Sequence, residues 1–195
     1  MPEISENNWP SCCPFIRYDV QNDIIEKRAR QMIESSYRIC LYYYITLLFN
    51  IGTIIAMAVT HYGMQVGFVQ IIIASLYLVL WPIGDFAFRH MSLYHGFKNE
   101  DNKAFHHFFF ATTTDVIFGI FLCTGWFFGG SGGLIAAVQN FIEDHYLGGG
   151  FSIVSTVLIL GHILLHLKLC REVRIFYITR CKEDKRDKRE EINDY

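Results

Sequence analysis

The sequence predicts an all-α membrane protein: four transmembrane helices, cytoplasmic N- and C-termini, and short interfacial amphipathic helices. Three observations carry this reading. Four stretches, 39–59, 66–83, 105–128 and 151–167, contain no Lys, Arg or Glu and a single Asp. A helix rising about 1.5 Å per residue needs about that length to cross a hydrocarbon core of about 30 Å. The 17 Lys and Arg residues all lie before the first stretch, between the second and third, or after the fourth. Finally, the chain is 52% hydrophobic and 16% aromatic, too apolar for an ordinary soluble domain of 195 residues. Buried helices of a soluble bundle would keep a polar stripe, and these segments are apolar all round.

The head, 1–38, carries Arg17, Lys27, Arg28, Arg30 and Arg38, and basic residues beside a span stay cytoplasmic. Within it Val20, Ile24, Ile25, Ala29, Met32 and Ile33 recur at helical spacing, with Glu26, Lys27, Arg30 and Glu34 on the other face. This predicts an amphipathic helix over 20–37, lying on the cytoplasmic leaflet. No apolar core followed by small residues marks a cleavable signal, so the first span serves as its own insertion signal. The loops 60–65 and 129–150 carry no Lys or Arg and are therefore lumenal. Arg89, Lys98 and Lys103 hold the middle loop on the cytoplasmic side. In the third loop Leu134, Ile135, Val138, Phe141 and Ile142 form an apolar face between glycine runs, which predicts a short helix on the lumenal surface. The membrane domain spans 39–169. The remainder, 170–195, is a charged cytoplasmic tail without apolar period past Lys182, expected to be solvated and disordered. Neither lumenal loop contains any of the six cysteines, so no disulfide framework is expected. Those near the cytoplasmic face, Cys12, Cys13, Cys170 and Cys181, are reduced thiols or acylation sites.

Several short motifs now fall into order. Asn8-Trp9-Pro10 and Cys13-Pro14 precede the first span, and Leu47-Leu48-Phe49-Asn50 lies within it. Tyr94-His95-Gly96-Phe97 and Asn102 precede the Phe-rich start of span three, and Ser131-Gly132-Gly133-Leu134-Ile135-Ala136 follows that span. In content and order these resemble the secretory carrier-associated membrane protein family, four-span proteins of secretory and endosomal membranes. The family's middle loop reads Trp-Tyr-Arg-Pro-x-Tyr-x-Ala-Phe. Here Arg89 and Tyr94 stand two residues further apart and the Pro is missing. No Asn-Pro-Phe occurs, so the chain resembles short members that do not recruit endocytic adaptors. The resemblance implies a place in trans-Golgi network, recycling endosome or secretory vesicle membranes. It also implies a middle loop that acts in late fusion and binds anionic phosphoinositides.

The residues themselves offer two candidate sites. Phe88, Arg89, Tyr94, Phe97, Lys98 and Lys103 interleave aromatics with cations at the cytoplasmic surface, the composition of a segment that lies on the membrane and reads lipid. Asp115 is mid-span, where an isolated carboxylate costs about 2.5–3.5 kcal/mol on insertion scales. It should face the bundle interior, protonated or hydrogen-bonded to Thr112, Thr113, Thr114 or Asn50. An interhelical polar clamp and a proton or ion relay are the two readings of it.

His162 and His166 share one face of span four, as metal ligands would. With His90, His95, His106 and His107 they bring to mind the histidine clusters of membrane di-iron hydroxylases, but the spacings are incomplete. Headgroup-region histidines are the simpler reading. No Ser/His/Asp set, phosphate loop or zinc-spaced cysteine pair appears, and no separate basic patch points to nucleic acid. The residues therefore predict a chain without catalysis, cofactor or metal, and the resemblance implies a carrier and organiser in vesicle traffic. Its partners are the bilayer, anionic phosphoinositides, trafficking proteins and further copies of itself. The alternatives are a small oligomeric transporter or channel organised around Asp115, and a histidine-dependent membrane oxidase.

Overall fold

In the computed structural model, residues 16–60, 63–126 and 129–193 are described; Asn8, Trp9, Pro10, Cys12, Cys13 and Pro14 lie outside them. Every element among the described residues is helical: α1 (Val20–Asp23), α2 (Lys27–Thr60), α3 (Gly63–Gly84), a π-helical turn (Asp85–His90), α4 (Met91–Asn99), α5 (Asn102–Thr124), α6 (Leu134–Ile142) and α7 (Tyr146–Asn193). Four of these helices are long and apolar enough to cross a membrane, as predicted. Their outward faces carry large apolar side chains, Phe68, Leu76, Leu80, Phe110 and Leu164 among them. An aqueous surface would not tolerate that density, whereas lipid requires it.

Local chemistry sets several ends. Asp101 caps α5, its carboxylate accepting from the Lys103 amide at 2.9 Å, as an N-cap should. Gly125 closes α5 at φ 64°, its amide bonded to the Leu122 carbonyl. A side chain there would collide with the Gly133 backbone, so glycine is required both for the left-handed turn and for the close approach. Pro82 sits inside α3 and removes one backbone donor. The wider π turn begins three residues later, a rare geometry that re-aims side chains and is frequent at functional sites.

Three expectations are corrected here. The amphipathic segment 20–37 is not a separate surface helix. Only Val20–Asp23 is independent, and from Lys27 onward the segment is the first part of α2. Its apolar face finds protein rather than lipid: Ala29, Met32 and Ile33 pack in one core with Leu93, Phe97 and Val173. The middle loop is helical from Asp85 to Asn99, continuous with α3. The tail carries on as helix through Asn193. Its early part is anchored by Phe176 against Phe97 and Tyr177 against Phe105, and Arg180 pairs with Glu100 at the turn into α5. Beyond that, Lys, Arg and Glu are good helix formers. The short helix α6 forms as expected, with Leu134, Ile135, Val138 and Ile142 outward and Ala136, Ala137 and Asn140 buried.

The interior is divided along its length. Toward the termini, aromatic and aliphatic side chains from α2, α4, α5 and α7 make one core. Further along, Tyr43, Leu47, Leu122, Ile159 and Ile163 make a second. The polar groups of interest lie in and beside these layers.

Candidate functional site

The π turn places Asp85 and Arg89 four residues apart, both withdrawn from the surface. Arg89 Nε donates to Asp85 Oδ1, and Arg89 NH2 donates to Asp85 Oδ2 at 2.9 Å. The rest of the guanidinium turns to α2: NH1 donates to Ser36 Oγ at 2.9 Å, and NH2 to the Ser36 carbonyl at 3.3 Å and Cys40 Sγ at 3.1 Å. A buried guanidinium has five N–H donors to satisfy, and the planar fork meets this demand with a bidentate carboxylate and a neighbouring helix. His90 extends the network, with Nδ1 3.1 Å from Ser36 Oγ and Nε2 3.0 Å from Tyr18 Oη.

Asp115 of α5 faces this group. Its Oδ1 accepts from Trp81 Nε1 at 3.0 Å. Its Oδ2 lies 3.7 Å from Arg89 Nε, close enough for charge attraction, but has no hydrogen-bond partner. The partners expected from the sequence are occupied elsewhere. Thr112, Thr113 and Thr114 each donate to the carbonyl four residues back, the usual resort of a hydroxyl inside a helix. Asn50 belongs to a second clamp, at the glycine-rich end. Its Nδ2 donates to the Gly130 carbonyl at 2.9 Å, and its Oδ1 accepts from the Gly132 amide at 3.0 Å and from Ser155 Oγ at 3.4 Å. One amide thus ties α2 to the loop and to α7.

His162 and His166 are interior residues, not headgroup residues, because α7 continues well past the predicted end of the span. Tyr43 stacks on His162 with centroids 3.8 Å apart, and the two imidazoles are 4.1 Å apart. All four ring nitrogens and Tyr43 Oη are buried without a hydrogen-bond partner. Ligand atoms of Asp85, Asp115 and His166 lie within 4.8 Å of one another. That is the spacing of a cation site, but Arg89 already takes both Asp85 oxygens, and a metal would have to displace it.

The residues expected to read lipid divide. Arg89, Tyr94 and Phe97 are buried, and the Arg89 donors are committed to Asp85, Ser36 and Cys40. Lys98 is half-buried and donates to Asp23 Oδ2 at 2.7 Å. Tyr94 Oη donates to the same carboxylate and accepts from the Asp19 amide at 3.4 Å. Together they dock the head onto α4. Burial pushes the Asp23 carboxyl up, but the hydrogen bonds from Lys98 and Tyr94 outweigh it and hold the group below the ordinary carboxylate range. Burial pushes the neighbouring Tyr18 phenol well above its ordinary value. Phe88, at 71% exposure, and Lys103 remain at the surface. Phe88 also edges a cavity of about 720 Å³ between α3 and α5, lined by Leu80, Trp81, His107, Phe110 and Asp115 among others. Exposed Leu80 and Phe110 put its mouth on the lipid-facing flank.

Sequence reasoning missed Asp85, Ser36 and Cys40. The one available signal was the i, i+4 spacing of Asp85 and Arg89, which pairs charges on a helix. A sequence model of the SCAMP family matches residues 6–180. No curated protein and no solved structure matches the chain.

Proposed function

The chain belongs to the SCAMP family, and from that premise we propose that it is a non-enzymatic carrier and organiser in vesicle-mediated protein transport. Membership points to a role in membrane traffic. The finer reading is a scaffold that works in trans-Golgi, recycling endosome or secretory vesicle membranes and contributes to fusion, with trafficking proteins and anionic lipid as partners. One observation supports it most. Two interior polar side chains are spent on joining helices, Arg89 holding the π turn to α2 and Asn50 holding α2 to the glycine loop and α7. A bundle clamped at both ends suits a rigid platform better than an alternating-access carrier. Lipid contact then falls to Phe88 and Lys103, which are exposed.

The experiment is depletion of the protein in cells, with surface delivery of a secreted cargo and return of a recycling receptor followed over time. Delivery should slow on depletion and recover with the wild-type chain, but not with a variant lacking the Arg89 clamp. The second reading, a transporter organised around Asp115, is favoured by that residue's unpartnered Oδ2. Reconstituted vesicles carrying a pH- or ion-sensitive dye separate the two. Flux that Asp115→Asn abolishes would establish transport and remove the scaffold reading.

A further inference from the structure

We propose that Asp115 and His166, backed by His162, form an intramembrane binding site for a single proton. The argument begins with unsatisfied atoms. Asp115 Oδ2, both nitrogens of His162, both of His166, and Tyr43 Oη are buried in one region with no hydrogen-bond partner. A neutral imidazole carries one N–H that needs an acceptor and one nitrogen that can accept. Leaving such groups bare in a buried site forfeits their solvation with nothing in return. One added proton, on Asp115 Oδ2 or on an imidazole nitrogen, turns an acceptor of this group into a donor and lets two of its members pair.

Charge identifies the occupant. Facing Asp115 are Trp81 from α3, Asp85 and Arg89 from the π turn and His166 from α7; Cys40 of α2 touches the same guanidinium, and His162 and Tyr43 stack beside His166. With both carboxylates ionised, two negative charges meet the single positive charge of Arg89. One proton brings the group to neutrality, the state that a low-dielectric interior favours. A divalent ion would overshoot by one charge and would have to take Asp85 from Arg89. Sodium or potassium seeks oxygen ligands, and the open positions here are mostly nitrogen.

Geometry supplies the means of sharing. Asp115, Asp85 and His166 present their atoms within 4.8 Å of one another, a gap that one water molecule or a small side-chain rotation closes. His107 and Thr114 line the same cavity as Asp115 along α5, among apolar neighbours such as Leu80 and Phe110. The proton comes from bulk water and binds to Asp115 Oδ2 or an imidazole nitrogen. Its loss sets two carboxylates in competition for Arg89, which stands 3.7 Å from Asp115 Oδ2. This inference does not depend on the scaffold reading, because proton binding needs no flux and no trafficking partner.

The test is infrared spectroscopy of the purified full-length protein in lipid nanodiscs, titrated over pH in H2O and D2O. We expect a carboxylic C=O band that titrates with pH, shifts in D2O and is lost in Asp115→Asn. His166→Gln should move its midpoint by about one pH unit, tenfold in proton activity. If Asp115→Asn does not fold, wild-type protein with 13C-aspartate and 15N-histidine serves instead. The ring nitrogens of His166 should then respond at the same midpoint as one aspartate carboxyl. Absence of a titrating carboxyl band, its survival in Asp115→Asn, an unmoved midpoint in His166→Gln, or independent carboxyl and imidazole midpoints would each overturn the proposal. So would loss of the band on addition of Zn2+, which would make the site a metal site.

Discussion

Arg89 lies across Asp85, four residues earlier on the same helix, with both side chains fully buried and the guanidinium also bonded to Ser36 of α2. Desolvating such a pair offsets much of its attraction, so the pair itself adds little net stability. Removing one partner is different, since it strands the other charge. Arg89→Met should therefore lower stability by about 3–5 kcal/mol, read from unfolding in mild detergent. The double variant Asp85→Leu with Arg89→Met should recover most of that loss. A double variant no better than Arg89→Met would show that the contacts to α2, not the stranded carboxylate, set the cost.

The second clamp is neutral and should be weaker. Asn50→Ala loses bonds to Gly130, Gly132 and Ser155, which together contribute about 1–2 kcal/mol on the scale of interhelical bonds in membranes. The loss should appear locally, as faster amide hydrogen exchange over 129–133. Asn50→Asp keeps the acceptor for the Gly132 amide but cannot donate to Gly130, and should fall between. Unchanged exchange in Asn50→Ala would remove this clamp from the account.

The four spans were legible because length and apolarity are properties of each segment alone. What the interior polar groups touch is a property of register between helices, and the sequence contains no register. Asn50 and Asp115 looked like partners because both sit inside spans, yet Asn50 bonds the glycine loop and Asp115 bonds Trp81. Asp85 and Arg89 looked like loop residues because charges usually end a span. Paired with each other, they let the helix run on through the π turn. His162 and His166 were visible as one face, but the continuation of α7 past the apolar run moved them from the headgroups to the core.

Sidedness rests on the partition of Lys and Arg and can be checked directly. A glycosylation acceptor inserted in 129–150 should be modified in microsomes, whereas one at Asn99 should not. Modification at Asn99 would place the middle helices on the lumenal side and invert the protein.

The docking of the head should respond to acid. The folded-state pKa of Asp23 is depressed, so its contribution is fully present above the unfolded value of about 3.9 and fades as pH falls through the folded value. Protection of the amides over 19–30, taken relative to their intrinsic exchange rates at each pH, should fall in that acid window. In Asp23→Asn protection should be lower at neutral pH and unchanged by acid. Equal acid sensitivity in Asp23→Asn would assign the effect to another carboxylate.

The last prediction separates two roles that the sequence combined in Arg89, Lys98 and Lys103. Near an anionic membrane surface each accessible cation contributes about 1 kcal/mol, weakened by salt. Arg89 is not accessible, and Lys98 is engaged by Asp23. Lys103 sits exposed on the first turn of α5. Retention of a fluorescent phosphoinositide by the purified protein should therefore drop several-fold in Lys103→Gln at low salt, with the unfolding midpoint unchanged. Arg89→Gln should do the reverse, lowering the midpoint while lipid retained per folded molecule stays constant. Lys98→Gln should show both effects in part, since it releases Asp23 and removes a half-exposed cation. If Arg89→Gln loses lipid at constant folded protein, the buried guanidinium must become available in the lipid-bound state, and the clamp it forms with Asp85 and Ser36 must open.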